Sequence, residues 1–214
     1  QPVARDYAEK LNELVDVMGI ERFNLLGHSL GTLIATDYAR LFPDKVDALI
    51  LLSCAQGYGM QADDSLPDKA QQRLLGLETE GALVFAQKRA PRLLHNPESK
   101  PVLAKAAVEA MSLINPDGYR QAVHMLAAGN LKQAASEVRT DSLIVSALED
   151  VITPCKQSRD CHDALRNADA TLKHEYIEVP NAGHLVHQEE PELVARHIMA
   201  FTGWDSASVV EQSA

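Results

Sequence analysis

Apolar side chains recur at helical spacing from the start of the chain. Val3, Tyr7, Leu11, Leu14, Val15 and Met18 share one face, with Pro2 ahead of them and Gly19 behind. That stripe, with proline in the first turn and glycine at the stop, predicts an amphipathic helix. A short apolar run at 23–26 then leads into a glycine and predicts a buried strand. Helical spacing returns from Gly31 until Pro43 stops it, and 46–53 is a second apolar, β-compatible run. Strand, helix, strand in this order predicts a right-handed parallel unit.

The middle of the chain differs. Residues 55–138 contain no convincing strand pattern. Their alanine- and leucine-rich stretches are broken by Pro91, Pro97, Pro101, Pro116, Gly118 and Gly129, which predicts about four or five short helices. Alternation then resumes, with a strand at 142–147, a helix over 153–168, a strand at 173–180 and a closing helix over 191–204. The expected fold class is α/β. A parallel sheet is laid down in two parts, 1–54 and 139–204, around a helical insertion at 55–138, and 205–214 is a frayed tail. Ligands of such sheets bind at the carboxyl ends of the strands, so an insertion leaving from one of those ends would cover the site as a lid.

Composition narrows the partners. The 214 residues are 46% apolar and 23% charged, enough for one sizeable core plus an insertion. Twenty basic residues face thirty acidic ones, for a net charge of −10. Such a surface repels phosphate backbones and anionic headgroups, so neither nucleic acid nor a membrane is the expected partner; a small, largely uncharged molecule is. The three cysteines are odd in number and lack C-x-x-C spacing. A disulfide framework or zinc knuckle is therefore not implied, and reduced thiols in a cytoplasm are expected. The chain opens on Gln1 rather than Met, and the expectation is that the natural N-terminus lies further upstream.

The chemistry enters at the strand ends. Gly27-His28-Ser29-Leu30-Gly31 is a G-x-S-x-G pentapeptide at the end of an apolar run and the start of a helix. In that context a sharp turn exposes a serine hydroxyl, and glycines at both ends are expected because side chains there would collide with backbone. Ser29 would stand at a helix N-terminus, where the dipole favours negative charge on a reacting oxygen. A serine needs a base within hydrogen-bond reach and a carboxylate to fix the base's tautomer. The strand at 142–147 leads to Asp150, and the strand at 173–180 leads to Asn181-Ala182-Gly183-His184. Nucleophile, acid and base thus arrive at one rim in the order Ser29, Asp150, His184.

Other residues compete for these roles. His187 is the rival base and Glu149 the rival acid, the latter expected to be a solvated loop charge. His28 is expected to point away from the hydroxyl into a packing or supporting role. The remaining histidines, 95, 124, 162, 174 and 197, read as surface or packing residues, and Asp163 and Asp169 lie too far along the chain.

With these residues the sequence resembles the α/β-hydrolase family of small-molecule esterases, enol-lactone hydrolases and C–C bond hydrolases. GHSLG is similar to that family's nucleophile elbow, SALEDVITP to its acid loop, and NAGHLVHQEEPELVARHIMAF to its histidine loop and closing helix. The resemblance runs over 2–204 and is weakest across 55–138, where INPDGYRQAVHMLAAGNL is similar to lids of the enol-lactonase type. Thr32 and Ala147 stand where glycine is common in the family. The resemblance implies Ser29 as nucleophile, His184 as base, Asp150 as acid and the Leu30 backbone N–H as oxyanion donor. It implies no cofactor and no metal, with a small carboxylic ester or lactone as substrate through an acyl-enzyme. It also implies further strands and a second oxyanion donor ahead of residue 1, so the chain is expected to be a piece of a longer enzyme. Alternatives are C–C hydrolysis of a vinylogous keto-acid, cofactor-free peroxidase-like chemistry, or a non-catalytic binding relative. The keto-acid would want a basic lid residue among Lys88, Arg89, Arg92 and Arg120, each expected on a solvated helix face. Haloalkane dehalogenation is disfavoured, because it needs a carboxylate where Ser29 stands.

Overall fold

In the computed structural model, residues 1–61 and 64–204 are described; the expected tail at 205–214 lies outside them. Four strands, β1 (Phe23–His28), β2 (Val46–Leu52), β3 (Ser142–Ala147) and β4 (His174–Val179), form one parallel sheet in the order β1-β2-β3-β4. Parallel neighbours cannot be joined by a tight turn, so helices carry the crossovers. Helix α2 (Gly31–Leu41) links β1 to β2, and α7 (Cys155–Ala168) links β3 to β4. The link from β2 to β3 contains the helical insertion.

The stretches 48–52 of β2 and 143–145 of β3 are apolar without a break because both of their faces are covered. Leu49, Leu51 and Ile144 pack in one cluster with α1 (Ala4–Val17), α2, α6 (Leu131–Ala135) and α7. Ala48, Ile50, Leu52, Leu143 and Val145 pack in another with α8 (Val186–Glu189) and α9 (Pro191–Thr202). β1 is an edge of this sheet, its burial alternates, and Leu26 is 47% exposed while Leu25 packs against the core.

Helix α1 forms where the spacing predicts, but its buried seam is rotated. Ala4, Ala8 and Val15 are buried, with Tyr7 and Leu11 beside them, whereas Val3, Leu14 and Met18 are exposed. Alanine lets α1 approach α2 closely, so the seam follows the small residues and not the large ones.

Residues 55–138 form α3 (Asp68–Arg89), α4 (Pro101–Ser112), α5 (Pro116–Ala128) and α6, with no strand among the described residues. Pro101 and Pro116 open helices rather than merely interrupting them, since a first-turn N–H has no intrahelical partner to lose. Gly118 is no breaker: it sits in the first turn of α5, where its N–H donates to the Asn115 side chain at 2.9 Å. The real break is Gly81, whose φ of 76° and ψ of 162° interrupt α3. No helix among the described residues is long and apolar enough to cross a membrane.

Candidate active site

β1 ends directly in the elbow. Ser29 has φ 52°, a left-handed conformation that costs a non-glycine residue about 1–3 kcal/mol and persists only where the surroundings enforce it. Three bonds do so. Ser29 N–H donates to Leu52 O at 2.9 Å, and the N–H and hydroxyl of Thr32 donate to Ser29 O at 2.9 and 2.6 Å. The Thr32 hydroxyl in turn accepts Ala55 N–H at 3.2 Å, tying the elbow to the start of the insertion.

The two glycines of the pentapeptide are not equivalent. A Cβ on Gly27 would lie 2.5 Å from Gly31 O and 2.9 Å from Ala35 Cβ, whereas one on Gly31 would meet nothing within 4 Å. The expected collision therefore holds only at Gly27. Gly27→Ala is expected to destabilise the protein by about 2 kcal/mol, because backbone must shift to admit the methyl. Gly31→Ala is expected to stay within about 0.5 kcal/mol of the parent. Urea unfolding of both variants checks the contrast.

The turns after β3 and β4 bring an acid and a base to the same rim. His184 Nε2 lies 2.8 Å from Ser29 Oγ, and His184 Nδ1 lies 2.8 Å from Asp150 Oδ2. Asp150 Oδ1 accepts the N–H groups of Ile152 and Thr153 at 2.8 and 2.9 Å, and Oδ2 accepts the Thr153 hydroxyl at 2.8 Å. Burial pushes the Asp150 carboxyl up. The hydrogen bond and charge of His184, with the two Thr153 bonds, outweigh burial and hold it below the usual carboxylate value. An ionised carboxylate can only accept, so Nδ1 carries the imidazole proton and Nε2 is left to accept from Ser29 Oγ–H. Both residues are shielded, His184 at 4% and Asp150 at 5% exposure.

The rival residues take other places. His28 Nε2–H donates to the His184 carbonyl at 2.8 Å, and burial lowers its pKa to about 4, so at neutral pH it is an uncharged strut. The His187 ring packs 4.6 Å from the His28 ring, and its buried Nδ1 has no partner among the described residues. Glu149 is not simply a solvated charge: its carboxylate accepts Ala182 N–H at 3.2 Å.

One supporting residue escapes sequence reasoning altogether. The Glu189 side chain is fully buried, accepting Gly183 N–H at 2.7 Å, His95 N–H at 3.0 Å and Lys100 Nζ at 2.6 Å. It fastens the turn before His184 to the insertion, where Leu185 N–H also donates to Leu93 O at 3.1 Å. In the run Gln188-Glu189-Glu190 the sequence does not separate this carboxylate from its neighbour; its three donors do.

Ser29, Leu30 and His184 open onto a cavity of about 330 Å³ whose far wall is Phe85, Met111, Ile114, Tyr119 and Val123 of the insertion. The Leu30 N–H, at the start of α2, has no acceptor among the described residues. A larger space of about 610 Å³ lies between residues 1–5, α2 and α5, touching none of Ser29, Asp150 and His184. Of these two spaces only the smaller is lined by Ser29 and His184. No group of three metal-ligating side chains occurs among the described residues.

A parallel sheet that gathers a serine elbow, a carboxylate and a histidine at one rim defines the class, and the family model for the alpha/beta hydrolase fold matches residues 3–191. The chain belongs to that family. It is similar to proteins named RutD, provisionally carbamate hydrolases. That from Cronobacter turicensis is 27% identical over 165 residues, covering 75% of this chain and 60% of the relative. That from Pseudomonas syringae pv. syringae is 25% identical over 206 residues, covering 92% and 74%. The chain thus spans about 60% of the length of the Cronobacter relative. The enol-lactonase from Burkholderia xenovorans LB400 superposes with a TM-score of 0.82 at 20% identity, over 95% of this chain and 74% of the other. A thermophilic esterase from Thermogutta terrifontis gives 0.77 at 21%, over 93% and 71%. At these identities the structural likeness establishes the fold alone.

Proposed function

We propose that this hydrolase cleaves a small carboxylic ester or lactone through a covalent acyl-enzyme on Ser29. The observation that carries the reading is the unbroken relay from Asp150 through His184 to Ser29, with both links 2.8 Å long and the hydroxyl facing a cavity. Ser29 Oγ attacks the carbonyl carbon while His184 Nε2 takes its proton, and Asp150 supports the imidazolium. The negative oxygen of the tetrahedral intermediate is received by Leu30 N–H and the N-terminal end of α2. His184 returns the proton to the leaving alkoxide as the carbon–oxygen bond breaks. Water, activated by the same histidine, then releases the acid. These steps draw on no cofactor. Residues 55–138 serve as the lid, keeping water from the site and shaping the acyl pocket.

The provisional name of the RutD relatives favours a second substrate for the same machinery. A carbamate presents an equivalent carbonyl, and attack would leave a carbamoyl group on Ser29. A fluorophosphonate probe followed by peptide mass spectrometry tests the shared step. Stoichiometric labelling at Ser29, slowed when excess p-nitrophenyl butyrate is present during the reaction, is the expected result. Labelling elsewhere, or none, would remove the serine-nucleophile reading for esters and carbamates alike.

A further inference from the structure

Three guanidiniums line the cavity that holds Ser29 and His184. Arg73 and Arg89 come from the two legs of α3 and Arg92 from the turn that follows. The break at Gly81 folds the legs together, so that a Cβ on Gly76 would sit 3.8 Å from the Phe85 ring. Among the described residues, none of these three arginines donates a hydrogen bond or pairs with a carboxylate. Their neighbours behave otherwise, Lys88 pairing with Glu80 and Arg120 with Glu78. In a chain with thirty acidic residues and twenty basic ones, three unpaired cations in one cavity are a concentration of charge that needs a reason.

Arg89 is half-buried, with its Cζ 5.1 Å from the centroid of the Phe85 ring. Burial depresses its pKa, and the charges of Arg73 and Arg92 add to that, against an opposing contribution from Tyr119. Arg73 is half-buried as well and Arg92 is exposed at the cavity's edge; like charges gathered around a half-buried guanidinium repel one another, so the free protein carries a cost that a bound anion would relieve. The guanidinium fork matches a carboxylate in a planar, two-bond arrangement. The apolar side chains beside it, Met111, Ile114 and Val123, suit a short hydrocarbon spacer between that carboxylate and the reacting carbonyl.

We propose that the substrate is an ester or lactone that itself bears a carboxylate, held by Arg89 and Arg92 with Arg73 beside them while its carbonyl meets Ser29. This rests on the hydrolase reading above and specifies its substrate class. It also reverses the expectation from net charge, since the ligand meets the cavity and not the acidic exterior.

Kinetics on two p-nitrophenyl esters of equal acyl length test the proposal. The anionic mono-p-nitrophenyl succinate is expected to exceed the neutral p-nitrophenyl butyrate by about tenfold or more in kcat/KM. In the double variant Arg89→Gln, Arg92→Gln that ratio is expected to fall towards one. Calorimetric titration with monomethyl succinate and dimethyl succinate reads binding independently of turnover. Binding of the half-ester alone, weakened about tenfold or more in the double variant, is the expected result. Equal preference in the kinetics, or equal binding of the neutral diester, overturns the anion inference and leaves the hydrolase reading standing. Selective half-ester binding without hydrolysis of either ester would do the reverse.

Discussion

Replacing Ser29 with alanine is expected to lower ester turnover by about 10⁶-fold, and replacing His184 as well is expected to lower it no further. The hydroxyl and the imidazole are joined at 2.8 Å, and in the proposed mechanism they share one event, the transfer of a proton as the oxygen attacks carbon. Once the oxygen is gone, the base has nothing to deprotonate, so the two losses cannot add. What survives is the contribution of Leu30 N–H and of binding in the cavity, a residual of about 10³-fold over water. The variants are expected to fold alike, because the bonds that enforce the elbow are made by the Ser29 backbone and the Thr32 side chain, not by Ser29 Oγ. Kinetics of the two single variants and the double variant on p-nitrophenyl butyrate check this. A double variant slower than either single one by a further large factor would mean that His184 serves some step independent of Ser29.

The strands and the positions of the three rim residues are legible because each of the three lies at a strand's carboxyl end or within a short turn of it. The run at 142–147 coincides with β3, and Asp150 lies only three positions beyond it. Ser29 follows β1 immediately, and His184 follows the short turn after β4. For such residues, knowing the strand end is nearly the same as knowing the location. The features that escaped depend instead on what packs against them. Leu14 and Ala8 are both apolar at helical spacing, yet only contact with α2 decides that the alanine is buried and the leucine is not. Glu189 reads as a surface charge until the insertion packs against it and supplies two donors, with Gly183 N–H as the third. Arg73 and Arg89 are distant in sequence and face one cavity only because Gly81 turns the helix back on itself. Net charge, being a sum over the whole surface, carries no record of that local excess.

Asp150→Asn is expected to lower kcat by about 10⁴-fold while leaving KM nearly unchanged. The magnitude follows from the direction in which the new amide must point. Oδ1 of Asp150 accepts two backbone N–H groups, from Ile152 and Thr153, and an amide NH₂ in that position would face two donors. The carbonyl oxygen of the asparagine is therefore held there, and the NH₂ is turned towards His184 Nδ1, where Oδ2 stood. A donor facing Nδ1 forces the imidazole proton onto Nε2, the nitrogen that must accept from Ser29 Oγ. The geometry of the relay is kept and its polarity is reversed, so the hydroxyl loses its base without being displaced. Asp150 does not line the cavity, which is why substrate affinity is expected to survive. Glu149→Gln supplies the comparison: its carboxylate braces Ala182 N–H and has no contact with His184, so kcat is expected to fall less than tenfold. If Asp150→Asn stayed within tenfold of the parent while Glu149→Gln lost the activity, the acid would be Glu149, and the turn after β3 would have to rearrange during catalysis.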